Sequence, residues 1–156
     1  MKKIIVAGGS GFIGTNLCDY LSNDNHVICI DNFSSSSDKN ISHLKNKKNF
    51  QFINHNICES LDIKVDQIYN LACPASPKRY QNLPLETIQA CIDGSRSLLD
   101  LAIQNNAVIL QASTSEIYGD PIVHPQDEQY FGNVNLNGPR SCYDEGKRMA
   151  ETIFYN

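Results

Sequence analysis

Short apolar, β-branched runs alternate along the chain with stretches in which apolar side chains recur every third or fourth position. That alternation predicts parallel strands joined by crossover helices. Residues 3–7, 26–30, 50–53, 67–72 and 107–112 read as five strands. A helix is predicted from near Gly11, carrying Phe12, Ile13, Leu17 and Leu21 inward, and Asn23-Asp24-Asn25 ends it with turn chemistry. Residues 38–44 suggest a short helix after the serine tract Ser34-Ser35-Ser36-Ser37. A long helix is predicted from Pro84 to about Gln104, because proline suits a first helical turn and Leu85, Ile88, Ile92, Leu98, Leu99 and Ala102 keep a helical period. A last helix carries Tyr143. Residues 73–83 and 118–142 lack a period and read as functional loops. The expected fold is therefore α/β, a Rossmann-type doubly wound parallel sheet with five strands in this chain.

Composition narrows the function classes. A length of 156 residues suits one domain, with no linker or repeat to divide it, and 41% hydrophobic with 19% charged residues reads as globular. The formal net charge of −4 and the lack of a long basic run argue against nucleic acid as a partner. No apolar stretch approaches the ~20 residues that span a bilayer, and the first segment reads as a strand, so no membrane association is expected. Cys18, Cys29, Cys58, Cys73, Cys91 and Cys142 show no C-x-x-C spacing, and His26, His43, His55 and His124 are scattered. Reduced, apolar-packing thiols are expected, with no metal.

Candidate chemistry begins after the first strand with Gly8-Gly9-Ser10-Gly11-Phe12-Ile13-Gly14. Glycines at these spacings let the chain turn sharply, let backbone amides approach a pyrophosphate, and let the helix pack close to the sheet. Asp31 ends the second strand, where a carboxylate can accept both ribose hydroxyls of an adenosine. The same charge repels a 2′-phosphate, which favours NAD over NADP. Asn56, after the third strand, is placed to touch the adenine.

Tyr143 and Lys147 share a helix face one turn apart. A tyrosine works as a proton-transfer group near neutral pH only if its pKa of about 10 falls, and a drop to about 7 takes roughly 4 kcal/mol. The lysine ammonium is expected to supply part of that, and a cationic nicotinamide more. Ser113-Thr114-Ser115-Glu116 follows the fifth strand, where ligands of open α/β sheets bind. Thr114 is suited to a substrate oxygen, and Glu116 to an acid, base or electrostatic role.

Gly8 through Gly14, Asp31-Asn32-Phe33, Leu71-Ala72-Cys73-Pro74-Ala75-Ser76-Pro77, Ser113 through Pro121 and Arg140-Ser141-Cys142-Tyr143-Asp144-Glu145-Gly146-Lys147-Arg148 together resemble UDP-glucuronate decarboxylase (UDP-xylose synthase), a family of extended short-chain dehydrogenase/reductases. The resemblance implies NAD as cofactor, held by Gly8, Gly11, Phe12, Ile13, Gly14, Asp31, Asn32, Phe33, Asn56, Ile57, Leu71, Cys73, Tyr143 and Lys147. It implies UDP-glucuronate as substrate, with Thr114, Ser115, Glu116, Tyr143 and Lys147 catalytic. Tyr143 would take the C4 hydroxyl proton, and the 4-keto acid would lose carbon dioxide to give UDP-xylose. The resemblance also implies a homodimer, joined through the long helix and the Tyr143 helix, to which Ile92, Leu99, Met149 and Ile153 could add apolar surface; with no N-terminal anchor to be read in the sequence, a soluble cytoplasmic protein is expected.

Some residues depart from that family's pattern. Cys91 stands where the long helix usually carries asparagine, Gln89 where lysine is usual, and Asn56 where aspartate is common. Family members are roughly twice as long, with a substrate domain absent here. The chain alone is therefore expected to bind substrate poorly unless a complementing C-terminal polypeptide completes it, and its fifth strand is expected to be an open sheet edge. Two alternatives stay open: a nucleotide-sugar 4,6-dehydratase or 4-epimerase, and a catalytically silent NAD-binding or dimerisation module. Thr114-Ser115-Glu116, where dehydratases carry T-D-E, argues against a dehydratase.

Overall fold

The five apolar runs form one parallel sheet in the order β3-β2-β1-β4-β5, as seen in a computed structural model that describes residues 1–156. The strands are β1 Lys3–Ala7, β2 His26–Asp31, β3 Phe50–Asn54, β4 Gln67–Asn70 and β5 Val108–Gln111. Pairing is in register from Lys3 opposite His26 through Ala7 opposite Ile30, with Ala7 also opposite Asn70 on the other side. β1 is buried on both faces, which is why it reads as an unbroken apolar run rather than an alternating one.

Side chains of period two feed two cores. Ile5, Ala7, Ile28, Ile30 and Ile68 pack with Leu98, Leu101 and Ala102 on one face. Val6, Val27, Cys29 and Phe50 pack with Cys18, Ile41 and Leu44 on the other. Each fully buried isoleucine or leucine stabilises the fold by about 1.5–3 kcal/mol. The sheet order reverses direction between β1 and β4, so their carboxyl ends open a crevice there.

The helices are α1 Phe12–Leu21, α2 Pro77–Asn82, α3 Pro84–Gln89, α4 Ser95–Asn105 and α5 Ser141–Tyr155. Several differ from expectation. Phe12 and Ile13 do not face inward: they are 87% and 66% exposed, and α1 packs through Gly14 and Cys18 instead. The reason is the close glycine seat of the first turn, which turns its outer side to solvent. The long helix is not uniformly α, because a π turn, Ala90–Gly94, separates α3 from α4. Residues 38–44 give only a 3₁₀ turn, Asp38–Ile41. Within 73–83, expected to be irregular, α2 forms because Tyr80 stacks on Tyr143 at 5.0 Å. β5 is an edge strand, with Val108 69% exposed. No helix is long and apolar enough to cross a membrane.

Candidate functional site

At the carboxyl ends of β1, β2 and β4 lies a cavity of about 240 Å³, walled by Gly8, Gly11, Asp31, Asn32, Asn56, Ile57, Leu71, Cys73 and Gln89 among others. Gly8 adopts φ 74°, a left-handed conformation that glycine takes without strain, and an added Cβ would sit 2.9 Å from the backbone of Leu71 and Ala72. The start of α1 has no side-chain cap and no acidic residue in its first turn. Its free N–H groups and positive dipole end therefore suit an anion.

Asp31 organises the other end. Its carboxylate accepts from the Ser10 N–H (3.1 Å), the Phe33 N–H (2.8 Å) and the Ser36 hydroxyl (2.9 Å). The serine tract thus folds back over the strand end, and Ser10 and Ser36 hydroxyls meet at 2.6 Å. Phe33 holds φ 58°, unusual for a bulky side chain, and stacks on Phe52 at 5.0 Å. That backbone turn is what aims its amide at Asp31. A carboxylate has about four acceptor positions, so one remains free for a further hydroxyl. Asn56 lines the cavity, but its amide oxygen accepts from the Cys58 N–H at 3.1 Å in a local turn. The wall carries Asp31 and Glu86 but no lysine or arginine, so backbone amides are its main anion-binding groups.

The chemical end is built by α5 against the segment after β5. Tyr143 and Lys147 are both buried on α5. Thr114 caps the 3₁₀ turn Ser115–Tyr118, accepting from the Glu116 N–H at 3.2 Å. Its side chain lies close enough to the Tyr143 phenol to favour the ionised form. Lys147 Nζ donates to the Ala112 carbonyl at 2.9 Å and lies 5.9 Å from the centre of the Tyr143 ring.

This arrangement corrects the expected pKa. Burial pushes the Tyr143 phenol above its ordinary 10.0, and Thr114 only partly opposes it. Lys147, held at Ala112, does not reverse the shift. Tyr80 is raised by burial as well, with Arg140 opposing. A phenol whose folded pKa is raised contributes stability that is full below its unfolded value and lost as pH rises through the folded one. The melting temperature is therefore expected to fall as pH rises past about 10, and to fall less steeply in Tyr143→Phe. Equal slopes for the two proteins between about pH 9 and 11 would contradict this.

Arg140 is a site residue that spacing alone did not reveal. Its guanidinium pairs with Glu116 and lies 3.9 Å from Asp144, whose buried carboxyl is raised by desolvation and lowered by Arg140. Glu116 is thus a paired carboxylate. Ser115 is exposed at the start of the same turn. Arg148 ties down the irregular segment beyond, donating to the carbonyls of Ile117 (2.6 Å) and Phe131 (3.0 Å). Beneath the site, buried Asn70 donates to Gln111 at 2.7 Å, a polar contact between β4 and β5. The structure brings together Thr114, Tyr143 and Lys147, and separately Gly8, Gly11, Asp31 and Cys73; Phe12, Ile13, Gly14, Phe33, Tyr143 and Lys147 lie outside the cavity wall. No cluster of three or more histidine, cysteine or acidic groups could hold a metal ion.

Sheet order, glycine turn and strand-end carboxylate define a Rossmann-type nucleotide-binding fold. The chain belongs to the GDP-mannose 4,6 dehydratase family, whose sequence profile matches residues 5–156. It is 50% identical to UDP-glucuronic acid decarboxylase 1 of Xenopus tropicalis over 155 residues, covering 99% of this chain and 37% of that protein. It is 49% identical to UDP-glucuronic acid decarboxylase 6 of Arabidopsis thaliana over 156 residues, covering 99% of this chain and 46% of the other. Among solved structures, a UDP-N-acetylglucosamine 4-epimerase from Methanobrevibacter ruminantium M1, in complex with UDP-N-acetylmuramic acid, superposes with TM-score 0.83 at 30% identity. That match covers 99% of this chain and 49% of the epimerase. A dTDP-glucose 4,6-dehydratase from Bacillus anthracis, in complex with NAD, shares the fold with TM-score 0.79 at 22% identity, covering 98% of this chain and 49% of its own. The chain thus spans less than half the length of these relatives.

Proposed function

We propose that the chain is the NAD-binding part of a UDP-glucuronate decarboxylase. The observation that carries this is that Tyr143, with Lys147 one turn on, packs in a cluster with Cys73, which lines a cavity running from a glycine turn to Asp31. About 50% identity to decarboxylases, against 30% to an epimerase, favours that reaction over epimerisation. The cavity fits NAD: uncapped amides of α1 suit the pyrophosphate, and Asp31 retains acceptor capacity for an adenosine ribose. Bound NAD supplies a reversible acceptor for the C4 hydride and a positive charge near the phenol.

The residues then divide the remaining work. Tyr143 takes the proton of the C4 hydroxyl as that carbon is oxidised, and Thr114 holds the C4 oxygen. Lys147 fixes the nicotinamide ribose and supports the tyrosinate. The 4-keto group lies β to the carboxylate, so the C5–C6 bond breaks with its electron pair delocalised onto the C4 oxygen, and carbon dioxide leaves. Protonation at C5 and hydride return at C4 give UDP-xylose without net redox change. Glu116, which pairs with Arg140, and Ser115 are assigned to the C5 side of the sugar. Residues 1–156 supply these groups, and the walls around the uridine come from polypeptide matching the rest of the relatives. Six free thiols favour a reducing, cytoplasmic setting. Homodimerisation is assigned to α4 and α5, where Met149 is 46% exposed.

Product analysis tests this. UDP-glucuronate and NAD, given to a form that includes the substrate-binding region, are expected to yield UDP-xylose and carbon dioxide in equal amounts. A C4 epimer or a 6-deoxy-4-keto sugar as sole product would assign the site to an epimerase or dehydratase instead.

A further inference from the structure

Two thiols face each other in the wall of the cavity. Cys73 follows β4 and lines the cavity, while Cys91 lies on the π turn with only 1% of its surface exposed. Their sulfurs are 3.4 Å apart. Both are free, and they lie 18 positions apart in the chain. Cys91 is backed by α5: an added Cβ on Gly146 would lie 3.1 Å from the Cys91 Cβ and 3.2 Å from its sulfur. The side chain therefore cannot retreat and is presented toward Cys73. The π turn, a one-residue irregularity of a kind frequent at functional sites, is where Cys91 sits.

We propose that Cys73 and Cys91 are a reversible redox pair in the wall of the cofactor cavity, closed to a disulfide by a peroxide. The step balances. One thiolate attacks the peroxide O–O bond, giving a sulfenic acid and hydroxide, which takes up the proton released. The second thiol displaces the sulfenic oxygen as water. Two thiols and one hydrogen peroxide become one disulfide and two waters. Polarisation of the pair assists: the contact between the two sulfurs, with Lys147 beyond it, pulls the Cys91 thiol below its ordinary range. The same contact, with burial, raises Cys73. Cys142, the other thiol in this region, is directed instead to the Tyr80 carbonyl at 3.5 Å.

Closing the bond brings the sulfurs roughly 1.4 Å nearer, to about 2.05 Å. That movement draws the Cys73 wall toward the π turn that carries Cys91. Oxidation is thereby expected to weaken NAD binding at least tenfold. This consequence rests on the cofactor assignment above; the bond itself does not.

The test treats the folded 156-residue chain with hydrogen peroxide, blocks remaining thiols and digests with trypsin. Peptides 65–78 and 80–96 should be recovered joined, and a dithiol reductant should separate them. NAD affinity measured on the same samples should fall at least tenfold and return on reduction, whereas Cys91→Asn should form no such link and keep its affinity under peroxide. Cys91→Ser, the closer isostere, serves as the second variant should Cys91→Asn unfold. A link from Cys73 to Cys142, or oxidation of Cys73 to sulfinic acid with no link, would overturn the proposal. A link that leaves NAD affinity unchanged would overturn its regulatory consequence. Failure of the reduced chain to bind NAD would instead sink the cofactor assignment and leave the cross-linking result standing.

Discussion

Replacing Tyr143 with phenylalanine is expected to lower turnover of UDP-glucuronate by about 10²–10⁴-fold, the usual worth of a positioned acid–base group. The ring stays stacked on Tyr80 at 5.0 Å, so the loss should fall on the chemical step and not on the fold. What disappears is the phenol oxygen proposed to take the C4 hydroxyl proton. The cofactor-free phenol is raised by burial, so the tyrosinate depends on charge brought by NAD, with Lys147 held at Ala112 nearby. NAD affinity in Tyr143→Phe should fall far less than turnover does. The assay is single-turnover reduction of bound NAD, in a form that includes the substrate-binding region. An unchanged rate would remove Tyr143 from the chemistry.

Gly14→Ala should be the most damaging small substitution for the cofactor end. Its Cβ would overlap the Gly8 carbonyl oxygen and lie 2.7 Å from the Gly9 Cα, and neither atom belongs to a side chain that can rotate away. Either the glycine turn moves or α1 lifts from the sheet, at a cost of about 1–3 kcal/mol or more. For a domain of this size that lowers the melting temperature by roughly 3–10 °C. NAD binding should fall with it, because the same turn presents the α1 amides. Gly11→Ala is the contrasting control, since its nearest neighbour is the Gly8 oxygen at 3.2 Å. Differential scanning calorimetry with and without NAD separates the two variants. Equal destabilisation would show that the seat of α1 is not what Gly14 protects.

Much of this was legible in the residues, and the misses have physical causes. The five strands were readable because a parallel sheet buried on both faces demands continuous β-branched runs, as in Ile4-Ile5-Val6. The glycine turn, Asp31 and the Tyr143–Lys147 spacing are local patterns, so their positions, at a strand end or on one helix face, could be read from the chain. The π turn was not, because one extra residue near Cys91 leaves apolar side chains on nearly the same face. α2 is short and polar, and what holds it is Tyr80 against Tyr143, a contact made only in the folded chain. The Arg140–Glu116 pair and the Cys73–Cys91 contact likewise join distant segments that no local pattern connects. Phe12 and Ile13 misled because hydrophobicity alone cannot tell a buried helix face from an open first turn.

Calorimetric titration of the reduced 156-residue chain with NAD, and then with NADP, bears most directly on the cofactor assignment from which the rest follows. Saturable NAD binding is expected, with NADP at least tenfold weaker because Asp31 repels a 2′-phosphate, and with Asp31→Ala reducing NAD affinity by a similar factor. No saturable NAD binding by the folded chain, or equal affinity for the two dinucleotides, would contradict it.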